Sequence, residues 1–188
     1  IAAMSGVSKF SATDLRKQLS GKTASVNLSV DDYANGLEGY ASPKDLETML
    51  QLLYLNFTQP RFSEDDFNTM VKMYKSYVEN MTSNPDYIAQ EELIKTIYND
   101  NPRRQQLSVE LLDGLQYAHL PAIFQTLYPG ANSFTFTIVG NVDPETIKPL
   151  VEKYIGSLPV SKKTLSYADD NVRPVQGKVE NDFTTPMQ

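Results

Sequence analysis

The chain has 188 residues, 40% apolar and 21% charged, enough to bury one sizeable core. Its formal net charge is −6 and it holds no polybasic run, which argues against nucleic acid or an anionic membrane as a partner. It has no cysteine, which excludes a disulfide scaffold, a thiol nucleophile and a thiolate metal site; its single histidine, His119, excludes every scheme that needs two imidazoles.

Ser11-Ala-Thr-Asp14 announces the first helix: a Ser hydroxyl accepts an orphan N–H of the first turn, and an acid three residues on suits the positive helix end. Residues 24–30 then alternate. Ala24, Val26, Leu28 and Val30 face one way and Ser and Asn the other, which predicts a strand with one wet face. Tyr33 to Tyr40 is expected to return as its hairpin partner, turned at Asp31-Asp32.

Ser42-Pro-Lys-Asp45 opens a helix with Leu46, Met49, Leu50, Leu53 and Phe57 on one face, and Pro43 stands where a helix tolerates proline. Thr58 to Phe62 is a short break enforced by Pro60. Ser63-Glu-Asp-Asp66 starts the next helix, striped by Phe67, Met70, Val71, Tyr74 and Val78. Two such helices joined by about five residues predict an antiparallel helical hairpin. Asn84-Pro85 opens a third helix, with Ile88, Leu93, Ile94 and Ile97 apolar, and Asn99 to Pro102 ends it. Ser108 to about Tyr128 reads as helical again, interrupted near Pro121 and stopped by Pro129-Gly130.

Phe134-Thr-Phe-Thr-Ile-Val139 is the strongest strand pattern in the chain. Gly140-Asn141 turns from it into a helix over Thr146 to Ile155, opened by Asp143-Pro144-Glu145 and carrying Ile147, Leu150, Val151 and Tyr154. From Val160 the chain turns polar and reads as a linker. Lys178 to Gln188 is expected to begin a strand of a following domain. The domain expectation is therefore a core over residues 1–159 and a linker plus stub over 160–188. No apolar run approaches the roughly 18 residues of a membrane helix, and no signal peptide is visible. The first residue is Ile, so the expectation is a fragment of a longer protein.

Candidate chemistry is sparse. His119 lies between Ala118 and Leu120 with no partner near in sequence, and reads as a structural or surface residue. Arg103-Arg104 and Arg61 could clamp a carboxylate, but a solvated turn explains them more simply. Asp31-Asp32, Asp65-Asp66 and Asp169-Asp170 are paired acids without a calcium-loop pattern, and read as turn and first-turn acids. Met70, Met73, Tyr74 and Tyr77 read as core and flank. No Gly-rich phosphate loop, G-x-S-x-G or H-E-x-x-H occurs.

The order of elements and several phrases resemble the pitrilysin/insulinase family of zinc metallopeptidases. Phe134 to Pro159 resembles the family's closing phrase: an apolar strand, Val-Gly-Asn, an acid-initiated helix and a Gly-x-Leu-Pro stop. Ser42 to Thr48, Leu52 to Arg61 and Tyr98 to Arg103 resemble its second-half domains, particularly in the large bacterial members. The resemblance runs from about Ser5 to Pro159. It implies an α+β fold, a two-layer sandwich of a mostly antiparallel sheet covered by helices, like the mitochondrial processing peptidase.

It also implies a division of labour. The family's first half carries H-x-x-E-H plus a distant Glu around one zinc, with the Glu between the histidines as general base. The equivalent helix here should lie at or before Ile1 to Met4, where nothing can bind zinc. The distant acid would fall near Lys72 to Glu79, and Glu79 reads as an ordinary helix-surface residue. The resemblance therefore implies no catalytic and no metal-binding residue in this chain, zinc in the catalytic half of a parent polypeptide, and that half and a peptide substrate as partners. It leaves the substrate-contacting residues unknown. For a bacterial member it favours the periplasm, with which zero Cys is compatible. A non-catalytic scaffold of the same fold and a free-standing peptide-binding module are the alternatives.

Overall fold

The computed structural model describes residues 2, 4–163 and 165–182. Backbone contacts group the chain into two units: Ile1–Phe67 with Tyr117–Tyr167, and Asn68–Gln116 with Ala168–Gln188. Among the described residues helices predominate, with one small antiparallel sheet, so the fold is α+β as expected.

In the first unit, α1 (Ala12–Gln18) starts where Ser11 accepts the Asp14 N–H. β1 (Ala24–Val30) and β2 (Asn35–Ala41) pair antiparallel, with Ala24 opposite Ala41 and Val30 opposite Asn35. Asp31 makes their turn: its Oδ1 accepts the N–H groups of Tyr33 and Ala34, each at 2.7 Å. Pro43–Asp45 form one 3-10 turn that runs into α2 (Leu46–Thr58). Here the expected Ser42 cap is replaced by a relay. Ser42 donates to Asp45 Oδ2 at 2.7 Å, and the same oxygen accepts the Thr23 N–H at 2.9 Å. These bonds hold the Asp45 carboxyl below the usual carboxylate range, the Ser42 hydroxyl first and the Thr23 amide second.

The sign of the pH effect follows. A folded pKa below the unfolded value of 3.8 adds stability above that pH and loses it as pH falls through the folded value. Asp45→Ala should therefore flatten the acid limb of a stability-against-pH profile measured by urea unfolding. Parallel acid limbs in the two proteins would contradict the assignment.

The core of this unit is aromatic. Leu53, Phe57, Phe124, Tyr128 and Leu158 are buried together, with Leu28, Leu37, Phe134, Phe136 and Ile155 packed around them. α2 supplies Leu50, Leu53 and Phe57 at helical spacing, as its sequence stripe requires. α6 (Leu120–Leu127) brings Phe124 beside Tyr128, stacked at 4.8 Å between ring centroids. The Tyr128 hydroxyl lies 2.8 Å from Ser29 O and 3.0 Å from Gly36 O, which seats α6 on the hairpin. α7 (Pro144–Tyr154) is capped by Asp143 and returns to α2, where Tyr154 and Lys153 both donate to Glu47 Oε1.

α3 (Glu64–Met81) begins in the first unit and continues into the second. Its first turn carries Glu64, Asp65 and Asp66, where acids suit the helix dipole. The second unit also holds α4 (Pro85–Tyr98) and α5 (Val109–Asp113). Asn84 caps α4, and Asn99 and Asp100 end it with positive φ of 49° and 53°. Tyr74, placed by the sequence on the apolar face of α3, is instead 40% exposed, and Met73 and Tyr77 are more so.

Two expectations differ from the structure. The helical stretch from Ser108 breaks at Gly114 rather than at Pro121, because Pro121 falls in the first turn of α6 where no N–H is required. Residues 134–139 form no strand. Phe134 and Phe136 turn inward and the threonines outward, so the alternation is real, but among the described residues no neighbouring strand supplies a ladder. No strand forms through Asp182 either; the rest of the strand expected to Gln188 lies outside the described residues, as do Ile1 and Ala3.

Candidate functional site

The residues singled out for chemistry are not gathered into one place. His119 ends a 3-10 turn, Tyr117–His119, and is exposed. Glu79 is exposed on α3. Asp65 and Asp66 stand in the first turn of that helix, and Asp66 N donates to Ser63 Oγ at 3.3 Å. Asp31 is occupied by its turn. Asp169 accepts the Asn171 N–H and pairs with Arg173, which together hold its carboxyl below the usual range, the amide bond first. Asp170 pairs with Arg103 Nε at 2.6 Å, and the Arg104 guanidinium lies 5.3 Å from the Tyr98 ring. These groups serve turns, caps and surface pairs. The Nε of Arg61 is buried without a hydrogen-bond partner.

Among the described residues, no three His, Cys, Asp or Glu side chains stand close enough to hold a metal ion. The donors among the described residues therefore do not fit a zinc site. No helix among the described residues is long and apolar enough to cross a membrane.

One concave feature of the first unit lies elsewhere. A cleft of about 540 Å³ runs between β2 and residues 133–142, within the range of ligand-sized pockets. Its floor is Met49, Leu50 and Leu53 of α2. Gly39 sits close above that floor: a Cβ there would come within 2.9 Å of Met49 Sδ. The cleft holds no acid–base pair and no nucleophile near a base. It is built to receive apolar and backbone groups. Sequence reasoning named no residue for it. The available signals were the alternation of 134–139 and the glycines of 33–40, and neither says that the two segments face one space.

Residues 115–186 match the family model described as the peptidase M16 inactive domain. A zinc protease PQQL-like protein of Arabidopsis thaliana is 26% identical over 61% of this chain and 12% of its own length. A probable zinc protease PqqL of Haemophilus influenzae is 22% identical over 96% of this chain and 19% of its own length. The crystal structure of the periplasmic protease PqqL from Escherichia coli superposes with a TM-score of 0.77 at 20% identity, covering 91% of this chain and 19% of that one. The chain thus spans less than a fifth of the length of the curated relatives it matches. Residues 115–186 are thus similar to the peptidase M16 inactive domain, and most of the chain shares the fold of the E. coli protease.

Proposed function

We propose that this chain is a wall of the reaction chamber in a zinc-dependent endopeptidase, one that helps hold an extended peptide for a catalytic half on the same polypeptide. The observation that carries this reading is the match of residues 115–186 to an inactive peptidase domain in a chain with one histidine. H-x-x-E-H needs two histidines one helical turn apart, so the zinc and its general base belong to another part of the parent. The names of the two curated relatives support a zinc protease as that parent. The periplasmic source of the E. coli structure supports the same compartment for a bacterial parent.

A wall domain contributes binding energy remote from the scissile bond. Removing it from the full-length polypeptide should lower kcat/KM for long peptides by roughly tenfold or more, with zinc still bound by the catalytic half. Unchanged cleavage of long peptides with the zinc retained would overturn the reading.

A further inference from the structure

The sequence holds one Asn-Gly step, Asn35-Gly36, and it opens β2. Such a step is chemically labile. Glycine has no Cβ, so its backbone can fold back and bring its nitrogen onto the asparagine side chain. The Gly36 nitrogen gives up its proton and bonds to Asn35 Cγ; the Cγ–Nδ2 bond breaks, and Nδ2 leaves as ammonia. Water then opens the cyclic imide at either carbonyl, giving aspartate or its β-linked isomer. Water enters, ammonia leaves, and no other reactant is needed.

The fold ties down both reacting nitrogens. The register of the hairpin and the flanking bonds Ser42 N to Thr23 O (2.9 Å) and Asp31 N to Ala34 O (3.0 Å) set the phase of the ladder, which directs Gly36 N–H at Ser29 O of β1. The leaving nitrogen, Asn35 Nδ2, donates to Leu127 O at 3.2 Å, and Asn35 is half-buried. Tyr128, the next residue, is buried and sets its hydroxyl 2.8 Å from Ser29 O and 3.0 Å from Gly36 O. A strand side chain stands roughly perpendicular to the sheet, whereas the N–H groups lie in it, and this keeps Asn35 Cγ off the line of Gly36 N. Two adjacent residues at the end of α6 thus clamp the labile step.

We propose that Asn35 is a deamidation site gated by the docking of α6 on the hairpin, closed while Leu127 and Tyr128 are seated and open when that end of the hairpin separates. The inference rests on the chemistry of this chain and not on the chamber-wall reading. Neither product can be reseated. Aspartate replaces the Nδ2 donor with a carboxylate facing the Leu127 carbonyl, two acceptors with no proton between them. The β-linked isomer adds a methylene to the main chain and shifts the rest of β2, including Leu37 opposite Leu28, out of register. A transient opening thereby becomes a permanent loss.

Peptide mapping by mass spectrometry tests it on the purified chain, held at mildly alkaline pH in buffer and in concentrated urea. In buffer the reaction runs only through local opening, so the Asn35 peptide should convert at least about tenfold more slowly there than in urea. Gly36→Ala should lose the product in urea, because its Cβ crowds ring closure. The fold itself tolerates that change: the added Cβ would meet only Ser29 Oγ, at 3.0 Å, a side chain able to turn aside. Tyr128→Phe keeps the ring and removes the hydroxyl. In buffer it should speed conversion by about two- to tenfold, the equivalent of one hydrogen bond; if the loss unfolds the chain, conversion should reach the urea rate. Equal rates in buffer and urea for the wild-type chain, a comparison that needs no variant to fold, would overturn the proposal. So would another asparagine converting ahead of Asn35 in urea, or a Tyr128→Phe rate in buffer no faster than wild type.

Discussion

Phe57→Ala is expected to cost about 3–5 kcal/mol of folding stability, the range for removing a fully buried aromatic side chain. Phe57 is 5% exposed and lies at the centre of the first unit's core. Its ring meets Phe134 edge-on at 5.6 Å and Tyr128 at 6.5 Å, so truncation removes two aromatic contacts as well as buried area. The loss reaches further than the cavity. Tyr128 carries the hydroxyl that seats α6 on the hairpin, and Phe134 begins the segment that walls the cleft. Urea unfolding should show the midpoint drop, with Phe57→Leu losing much less. A loss under about 1 kcal/mol for the alanine variant would mean that the site collapses around the deletion, or that these rings are not packed as described.

Gly6→Ala should be nearly as damaging, for a backbone reason. Gly6 has φ +86°, a conformation that strains a residue with a Cβ by about 1–3 kcal/mol. An added Cβ would also sit 2.2 Å from Phe10 O and 2.6 Å from Ser11 C, both backbone atoms that cannot swing aside. The turn at stake is a tether. Val7 and Phe10 exchange two backbone bonds, Ser8 N donates to Gln59 O at 2.9 Å, and the Ser5 hydroxyl accepts the Ser63 N–H. The N-terminal segment thus holds the link between α2 and α3. Gly21→Ala is the control. Its φ is +78°, but an added Cβ meets nothing within 4 Å, so it bears the conformational strain without the clash. Gly6→Ala should lower the unfolding midpoint well beyond Gly21→Ala; equal shifts would show that the clash is relieved.

Local chemistry made much of this fold legible. Ser11, Ser63, Asn84 and Asp143 each bond a first-turn N–H of the helix they announce, because an N-cap needs only residues within one turn of itself. The hairpin was legible for the same reason, through alternation and an Asp at the turn. The misplaced break at Pro121 came from treating proline as a stop when its position in the first turn makes it a start. The unformed strand at 134–139 has a different origin. Alternation reports which face is buried, and Phe134 and Phe136 obey it. A ladder depends on a neighbour, and pattern within a segment carries no information about one. The cleft was illegible on the same grounds, since its two walls come from segments far apart in the sequence. The resemblance to zinc peptidases supplied what local rules could not, and the count of one histidine kept it from being extended to a metal site.

The measurement that bears most directly on the non-catalytic reading is metal content and peptide cleavage on the purified 188-residue chain in the same sample. The expected result is zinc far below one per chain and no cleavage of unfolded peptides that chelation abolishes. Zinc near one per chain, with cleavage lost on chelation and restored by zinc, would contradict it.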